Sequence, residues 1–346
     1  MKKVEVNSVE IARLAGVSRS TVSRVINNYS NVPPETREKV MKIIEQYNYY
    51  PNMSAQVLAG KKTRTIGLFL VDAGHVSNDI LTNMLISSVI ENASACGYYV
   101  LTHIIRHTDD QEAVKSVKEI FHQRRIDGGI FIGAKNDEPM IEELIAKGFM
   151  VAVVDQELPG HCEPNRIVAN FDNETGMEQA VDYLASLGHT AIGIINGNMQ
   201  RHSGPTKFEG FVKAMEKRGL ALQPEWILEG DFHEGAGYAA IHMLLTSGKQ
   251  LPTAIVAAND SVAFGAMRAF KEHGVPVPAD VSVIGFDDHA LSSMHQPALT
   301  TVKVDFKYMM KHLTSALIKK IEQGAGGYEP FTVPSTLIIR DSCQSR

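Results

Sequence analysis

The sequence predicts a small three-helix helix-turn-helix domain, a short hinge, and a larger α/β domain of two lobes built on parallel sheets. Three observations carry this expectation. Charge is uneven: residues 1–64 hold eleven Lys/Arg against five Glu, a net of +6, and because the whole chain is −5 the rest carries −11. The first fifty residues are punctuated at short intervals by residues that cap or stop helices. From residue 65 onward, short apolar runs alternate with amphipathic helical stretches. A chain of 346 residues is also long for a single core and suits two or three domains.

In the first domain, residues 1–50, Ser8 is placed to cap a helix carrying Val9, Ile11, Ala12 and Ala15 on one face. Gly16 ends it, because glycine accepts the backbone of a tight turn. Ser18 caps a second helix, Arg19 to about Asn27, with Val22, Val25 and Ile26 turned inward. A third opens at Pro34, where the missing N–H costs nothing, and carries Val40, Ile43, Ile44 and Tyr47. The outer face of the second helix shows Arg19, Ser20, Thr21, Ser23 and Arg24. Short polar donors beside two guanidinium groups suit base edges and phosphates in a major groove. A basic domain on an acidic body fits a polyanion at one end only.

Residues 51–64 form the hinge. The segment PNMSAQVLAGKK is bounded by Pro51 and closed by Gly60, so it holds at most two helical turns. A helix that short is marginal alone and needs something packed on it.

From residue 65 to 346, the apolar runs are IGLFLV (66–71), YVLTHI (99–104), GGIFIG (128–133), VAVVD (151–155), AIGIING (191–197), AIVAA (254–258) and VSVIGFD (281–287). Continuous apolar strands imply burial on both faces, hence parallel sheets covered by helices. The pattern runs twice, around 65–160 and 165–290, which predicts two similar lobes and a cleft. Ligands of such sheets sit beyond the carboxyl ends of the strands. Asp72, Asp155, Asn196, Asn259, Asp260 and Asp287 collect at those ends, though any one of them also serves as a turn residue or cap.

Composition narrows the classes. Hydrophobic residues make up 44% and charged residues 21%, as in folded soluble proteins. No apolar run approaches the roughly 18 residues of a membrane span, and the first residues lack a secretory pattern. The three cysteines, Cys96, Cys162 and Cys343, are far apart and read as reduced thiols of a cytoplasmic protein. No nucleophile elbow, zincin motif, phosphate loop or Cys/His metal spacing occurs, so no catalytic residue, metal or cofactor is expected. His103 and His107 lie four apart near a strand, where that spacing does not share a helix face.

The N-terminal segments AGVS, TVSRVIN and LAGKKTRTIG closely resemble, in order and spacing, the lactose-repressor (LacI/GalR) family of transcription regulators. Further matches run through LGHTAIGIING, PTAIVAANDSVAFGAMRA and GVPVPADVSVIGFDD. The resemblance implies a cytoplasmic, homodimeric regulator, more often a repressor, that binds a pseudo-palindromic double-stranded operator. It also implies a periplasmic-binding-protein-like (type I) effector-binding and dimerisation domain, with an N-lobe of about 65–162 and 291–323 and a C-lobe of about 163–290 and 324–346. By the same likeness Arg19 and Ser20 set operator preference, and Thr21, Ser23 and Arg24 contact bases and phosphates. Ser18 and Asn27 complete the DNA-facing set, and Leu58 stands where the family wedges a leucine into the minor groove. Such a wedge kinks DNA at a flexible step.

For the effector, the likeness places Asp155, Ser203, Lys207, Phe232, Asn259, Asp287 and Phe306 at ligand-contact positions, for a sugar or sugar phosphate. The chain departs from the pattern in three places. Pro33 replaces a frequent capping Ser, and Lys207 stands where Arg is common, a point charge in place of a bidentate fork. Residues 72–85 read as a longer loop without the usual aromatic pair. Arg201, His202 and Lys207 lie close in sequence and suit an acidic or phosphorylated ligand, or a solvated surface. One alternative trigger is a phosphocarrier protein acting as co-repressor; an exported solute-binding protein is a more distant one. The absence of a C-terminal leucine repeat after TLIIRDSCQSR favours a dimer over a tetramer.

Overall fold

The computed structural model describes residues 6–50, 57, 60–72, 76, 80–324 and 330–346. Leu58, most of the hinge, and residues 73–75 and 77–79 lie outside the described residues. The chain forms two compact units, Met1–Thr63 and Arg64–Arg346. No described helix is long and apolar enough to cross a membrane.

The first unit holds α1 (Ser8–Ala15), α2 (Arg19–Ile26) and α3 (Pro34–Gln46) around Ile11, Ala15, Val22, Val25 and Val40. The cap of α1 is Asn7, not Ser8: its Oδ1 accepts from the amides of Val9 and Glu10 at 3.0 and 3.1 Å. Ser8 is the first helical residue, and its Oγ instead accepts from Arg19 Nε at 3.2 Å. Asn and Ser cap about equally well, so adjacent candidates are not separated by type. Val9 faces solvent at 58% exposure, and Tyr47 ends α3 on the surface, because the helix phase carries both off the apolar face. Gly16 terminates α1 at φ +63°. Ser18 Oγ accepts from the Thr21 amide at 3.1 Å, while Pro33 gives α3 no side-chain cap.

The second unit holds two six-stranded sheets. The first comprises β1 (Thr65–Val71), β2 (Tyr99–Ile105), β3 (Gly128–Ile132), β4 (Val151–Val154), β5 (Arg166–Phe171) and β11 (Phe331–Val333), ordered β11-β5-β4-β3-β1-β2 and entirely parallel. The second comprises β6 (Ile192–Ile195), β7 (Ile227–Leu228), β8 (Ala254–Ala257), β9 (Ser282–Asp287), β10 (Thr300–Val304) and β12 (Ser335–Ile338), ordered β12-β10-β9-β8-β6-β7. Only the β10–β12 pair is antiparallel.

The intervening helices are α4 (Ile80–Ala95), α5 (Gln111–His122), α6 (Pro139–Ala146), α7 (Asn173–Ser186), α8 (Ser203–Lys217), α9 (Glu234–Thr246), α10 (Asp260–Glu272) and α11 (Phe306–Gln323). Residues 80–85, expected as loop, are the first turns of α4. The lobe boundaries also differ from expectation. The chain leaves the N-lobe sheet after Phe171, not at 162. It returns at α11, which packs on α4 and β5, and not at 291, since β10 belongs to the C-lobe sheet. It crosses last between β11 and β12, not at 324. The physical reason is that β5, β10 and β11 carry polar residues (Arg166, Asn170, Lys303, Thr332) and give no continuous apolar run.

Candidate functional site

Within the first unit, α2 separates its residues cleanly. Val22 and Val25 are buried, while Arg19, Ser20, Ser23 and Arg24 are exposed; Thr21 and Asn27 are half-buried. Ser18 Oγ lies 2.7 Å from Ser20 Oγ and 2.9 Å from Thr21 Oγ1, so the three hydroxyls cluster at the helix N-terminus. That end carries partial positive charge and unpaired amides, which favours a phosphate. Asn27 Nδ2 donates to Ser23 Oγ at 3.3 Å, whereas its Oδ1 has no partner among the described residues. Arg24 makes no side-chain hydrogen bond or ion pair among them. Behind this face, Arg37 donates to Asn28 Oδ1 (2.7 Å) and to the Tyr29 carbonyl (2.5 Å), fixing the turn after α2.

In the second unit, a cavity of about 420 Å³ opens beyond the carboxyl ends of both sheets. This volume suits a small-molecule site. All seven effector candidates line it: Asp155, Ser203, Lys207, Phe232, Asn259, Asp287 and Phe306. Asp72 and Arg201 line it too. Of the other strand-end residues, Asn196 and Asp260 do not.

The seven do different work. Asn259 is largely committed: its Oδ1 caps α10 through the Val262 amide (2.9 Å), and its Nδ2 donates to the Phe232 carbonyl (3.0 Å). It therefore sets the loop bearing Phe232, whose ring lies on Gly197; a β-carbon there would come within 2.4 Å of the ring. Phe306 meets Phe171 edge-on at 5.7 Å. Asp155 and Asp287 take φ of +66° and +112°, the latter outside the usual left-handed well for a side-chain-bearing residue. Such strain is held where the surroundings fix it, commonly at functional sites.

Lys207 is 3% exposed. Its Nζ donates to the Ala258 carbonyl at 2.7 Å and lies 3.7 Å from the Phe286 ring centroid, 5.4 Å from Phe171 and 5.8 Å from Phe232. Burial pulls this ammonium below the ordinary lysine range, against the opposing pull of Asp287, Asp155 and Asp260. Sequence reasoning identifies Lys207 and one ring of its cage, Phe232, but not the other two: Phe171 sits in a strand broken by polar residues, and Phe286 in a run that reads only as core.

Four consecutive C-lobe residues clasp the N-lobe across the cleft. The Gln200 carbonyl accepts from the Asn136 amide at 2.9 Å. Arg201 Nη2 lies 3.6 Å from Asp72 Oδ2, and His202 Nε2 3.6 Å from Glu157 Oε2. Ser203 donates to Asp155 Oδ2 through its amide (3.2 Å) and its hydroxyl (2.5 Å). Asp155 Oδ1 is buried without a partner among the described residues, leaving one acceptor for a ligand donor.

Asp260 explains why strand-end aspartates are not interchangeable. It is 1% exposed and lies so close to Gly285 that a β-carbon there would be 2.1 Å from its Oδ1. It accepts from the His289 amide (2.6 Å), Ser292 Oγ (2.6 Å) and Thr301 Oγ1 (2.5 Å), tying α10 to β10 and the 289–292 turn. Burial raises its pKa to about 6, opposed by those three donors. A carboxyl raised in the folded state binds protons that the unfolded chain does not, between about pH 6 and its ordinary value near 3.8. Its contribution to stability therefore grows as pH falls through that window. Asp260→Asn removes this contribution, so the stability gap between the parent protein and the variant, from urea unfolding, should widen from pH 6 to pH 4. A gap constant across that range refutes the assignment.

Comparison with known proteins adds to this geometry. The profile of bacterial regulatory proteins of the lacI family matches residues 9–52, and that of a periplasmic binding protein-like domain matches 181–343. The HTH-type transcriptional repressor PurR of Haemophilus influenzae is 33% identical over 97% of this chain and 98% of its own. The HTH-type transcriptional regulator DegA of Bacillus subtilis is 34% identical over 96% of each chain. Among solved structures, the lac repressor dimer bound to operator and the anti-inducer ONPF superposes with a TM-score of 0.81 at 30% identity, covering 98% of this chain and 99% of that one. The complex of the transcriptional regulator CelR with cellobiose gives a TM-score of 0.75 at 25% identity, over 97% and 99%.

Proposed function

Because the chain belongs to the lacI family of bacterial regulatory proteins, we propose that it represses transcription as a homodimer on a pseudo-palindromic operator, under control of a small molecule bound in its cleft. The observation that carries the DNA-binding part is the sorting of α2, with Val22 and Val25 inside and Arg19, Ser20, Ser23 and Arg24 on an open face led by a capped N-terminus. The dimer is supported by the lac repressor neighbour, a dimer on its operator. Two half-sites read by two copies give inverted symmetry in the DNA. The reading is regulatory and not enzymatic, and operator DNA as partner places the protein in the cytoplasm.

The effector part is supported by the cavity, its lining and the clasp at 200–203. A ligand changes operator affinity only by as much as it prefers one lobe arrangement over the other. The test is selection of operators from randomised duplex DNA by the full-length protein at fixed salt. Enrichment of two inverted half-sites is expected. Enrichment of a single half-site overturns the dimer, and no enrichment overturns sequence-specific binding.

A further inference from the structure

The cavity lining combines many aliphatic side chains with a few charged ones. Leu70, Val76, Leu81, Leu85, Ile132 and Val154 make up most of the N-lobe lining, interrupted by Thr82 and bordered by Asp72 and Asp155. Sugar hydroxyls turned toward these aliphatic side chains would be left without partners. Two cations of the lining lie near one aromatic ring. Arg201 Cζ lies 5.4 Å and Lys207 Nζ 5.8 Å from the centroid of the same Phe232 ring. Among the described residues, the Lys207 ammonium donates to one oxygen, the Ala258 carbonyl, its other contacts being aromatic rings, and the Arg201 guanidinium has one loose ion pair, at 3.6 Å with Asp72. A buried donor without an acceptor is costly, and an anion bound there recovers that cost. Asp155 and Asp287, whose negative charges already act on Lys207, disfavour a dianion. The unpartnered Asp155 Oδ1 calls for a ligand donor next to the anion.

We propose that the cleft takes a small amphiphilic acid, its single carboxylate held by Arg201 and Lys207 beside Phe232, its hydrogen-bond donor on Asp155, and its hydrocarbon or aromatic body on the aliphatic side chains of Leu81 and Leu85. This deepens the reading of the cleft as the control site and rests on it. The experiment is titration calorimetry of the full-length protein with 3-phenyllactate, indole-3-acetate, the neutral amide of 3-phenyllactate, and cellobiose. Operator affinity is measured in parallel.

At least one acid should bind, and 3-phenyllactate at least tenfold more tightly than its amide. Lys207→Met should weaken the acids about tenfold or more while changing the amide less than threefold. Arg201→Met serves as the second variant if Lys207→Met fails to melt cooperatively. Cellobiose binding that moves operator affinity, with the acids silent, overturns the acid class and leaves the control site standing. Acid binding through both cations with no change in operator affinity supports the ligand class and overturns the control site. Equal binding of acid and amide, or no binding of any acid at millimolar concentration, overturns the proposal.

Discussion

Gly265→Val should cost the larger unit about 3 kcal/mol or more, lowering its melting temperature by roughly 6–12 °C at the sensitivity expected for a domain of this size. The cause lies where α9 and α10 meet. A β-carbon on Gly265 would sit 1.9 Å from the Glu234 carbonyl oxygen and 2.7 Å from the Tyr238 nitrogen. The approach is reciprocal, since a β-carbon on Gly237 would sit 2.0 Å from the Val262 carbonyl oxygen. Both obstacles are backbone, so no side-chain rotation relieves them and the helices must separate. Both helices flank the strands whose ends carry the cavity, so ligand affinity should fall with stability.

Gly235 in the same α9 is the control. A β-carbon there meets nothing within 4 Å and the residue is exposed. Gly235→Ala should therefore be neutral or gain about 0.4–1 kcal/mol through the unfolded chain. Calorimetric melting of both variants checks the pair; equal effects would show that the helix contact is not the limiting constraint.

These glycines illustrate what the sequence conveys and what it hides. Short-range signals are legible: Gly16 as a stop, Ser18 as a cap and Pro34 as a first helical residue act within one turn, and the helices begin and end there. Apolar runs locate seven of the twelve strands. Of the strands they miss, β7 is only two residues long, and β5, β10, β11 and β12 carry polar residues. Arg166 in β5 is fully buried because Glu142, Glu163 and Gln156 all accept from it. A run holding an arginine reads as surface until those partners are known, and with β5 misread the first lobe crossing moves.

The cavity shows the same division. Strand-end position marks Asp155, Asp260 and Asp287 alike, yet Asp260 is sealed beneath Gly285 while the other two line the cleft. The cage around Lys207 draws its rings from β5, β9 and the loop before α9, and no local pattern joins them. What a residue type contributes is readable; which types meet is not.

The helix proposed to face DNA, α2, should yield the largest functional effect. Arg19 is exposed on the first turn of α2 and donates through Nε to Ser8, which leaves its terminal nitrogens for a base edge. A bidentate contact discriminates against the wrong base by about 1–3 kcal/mol. Two copies on two half-sites double this, so Arg19→Ala should weaken operator binding by roughly one and a half to four and a half orders of magnitude. It should also relax selection at one position of each half-site.

Arg24 lies one turn further on, exposed and without an ion pair among the described residues, as suits a phosphate partner. Arg24→Ala should weaken all duplexes alike. It should reduce the slope of log affinity against log salt by about one for each phosphate no longer neutralised, hence about two for the dimer. The two variants thus separate on different axes, sequence preference for Arg19 and salt for Arg24. Fluorescence anisotropy on the selected operator and a scrambled duplex, at several salt concentrations, measures both. An Arg19→Ala protein that retains the parent's preference, or an Arg24→Ala protein that keeps its salt slope, would move the DNA-binding surface off this face of α2. The hydroxyls of Ser18, Ser20 and Thr21 would then need a role other than meeting DNA.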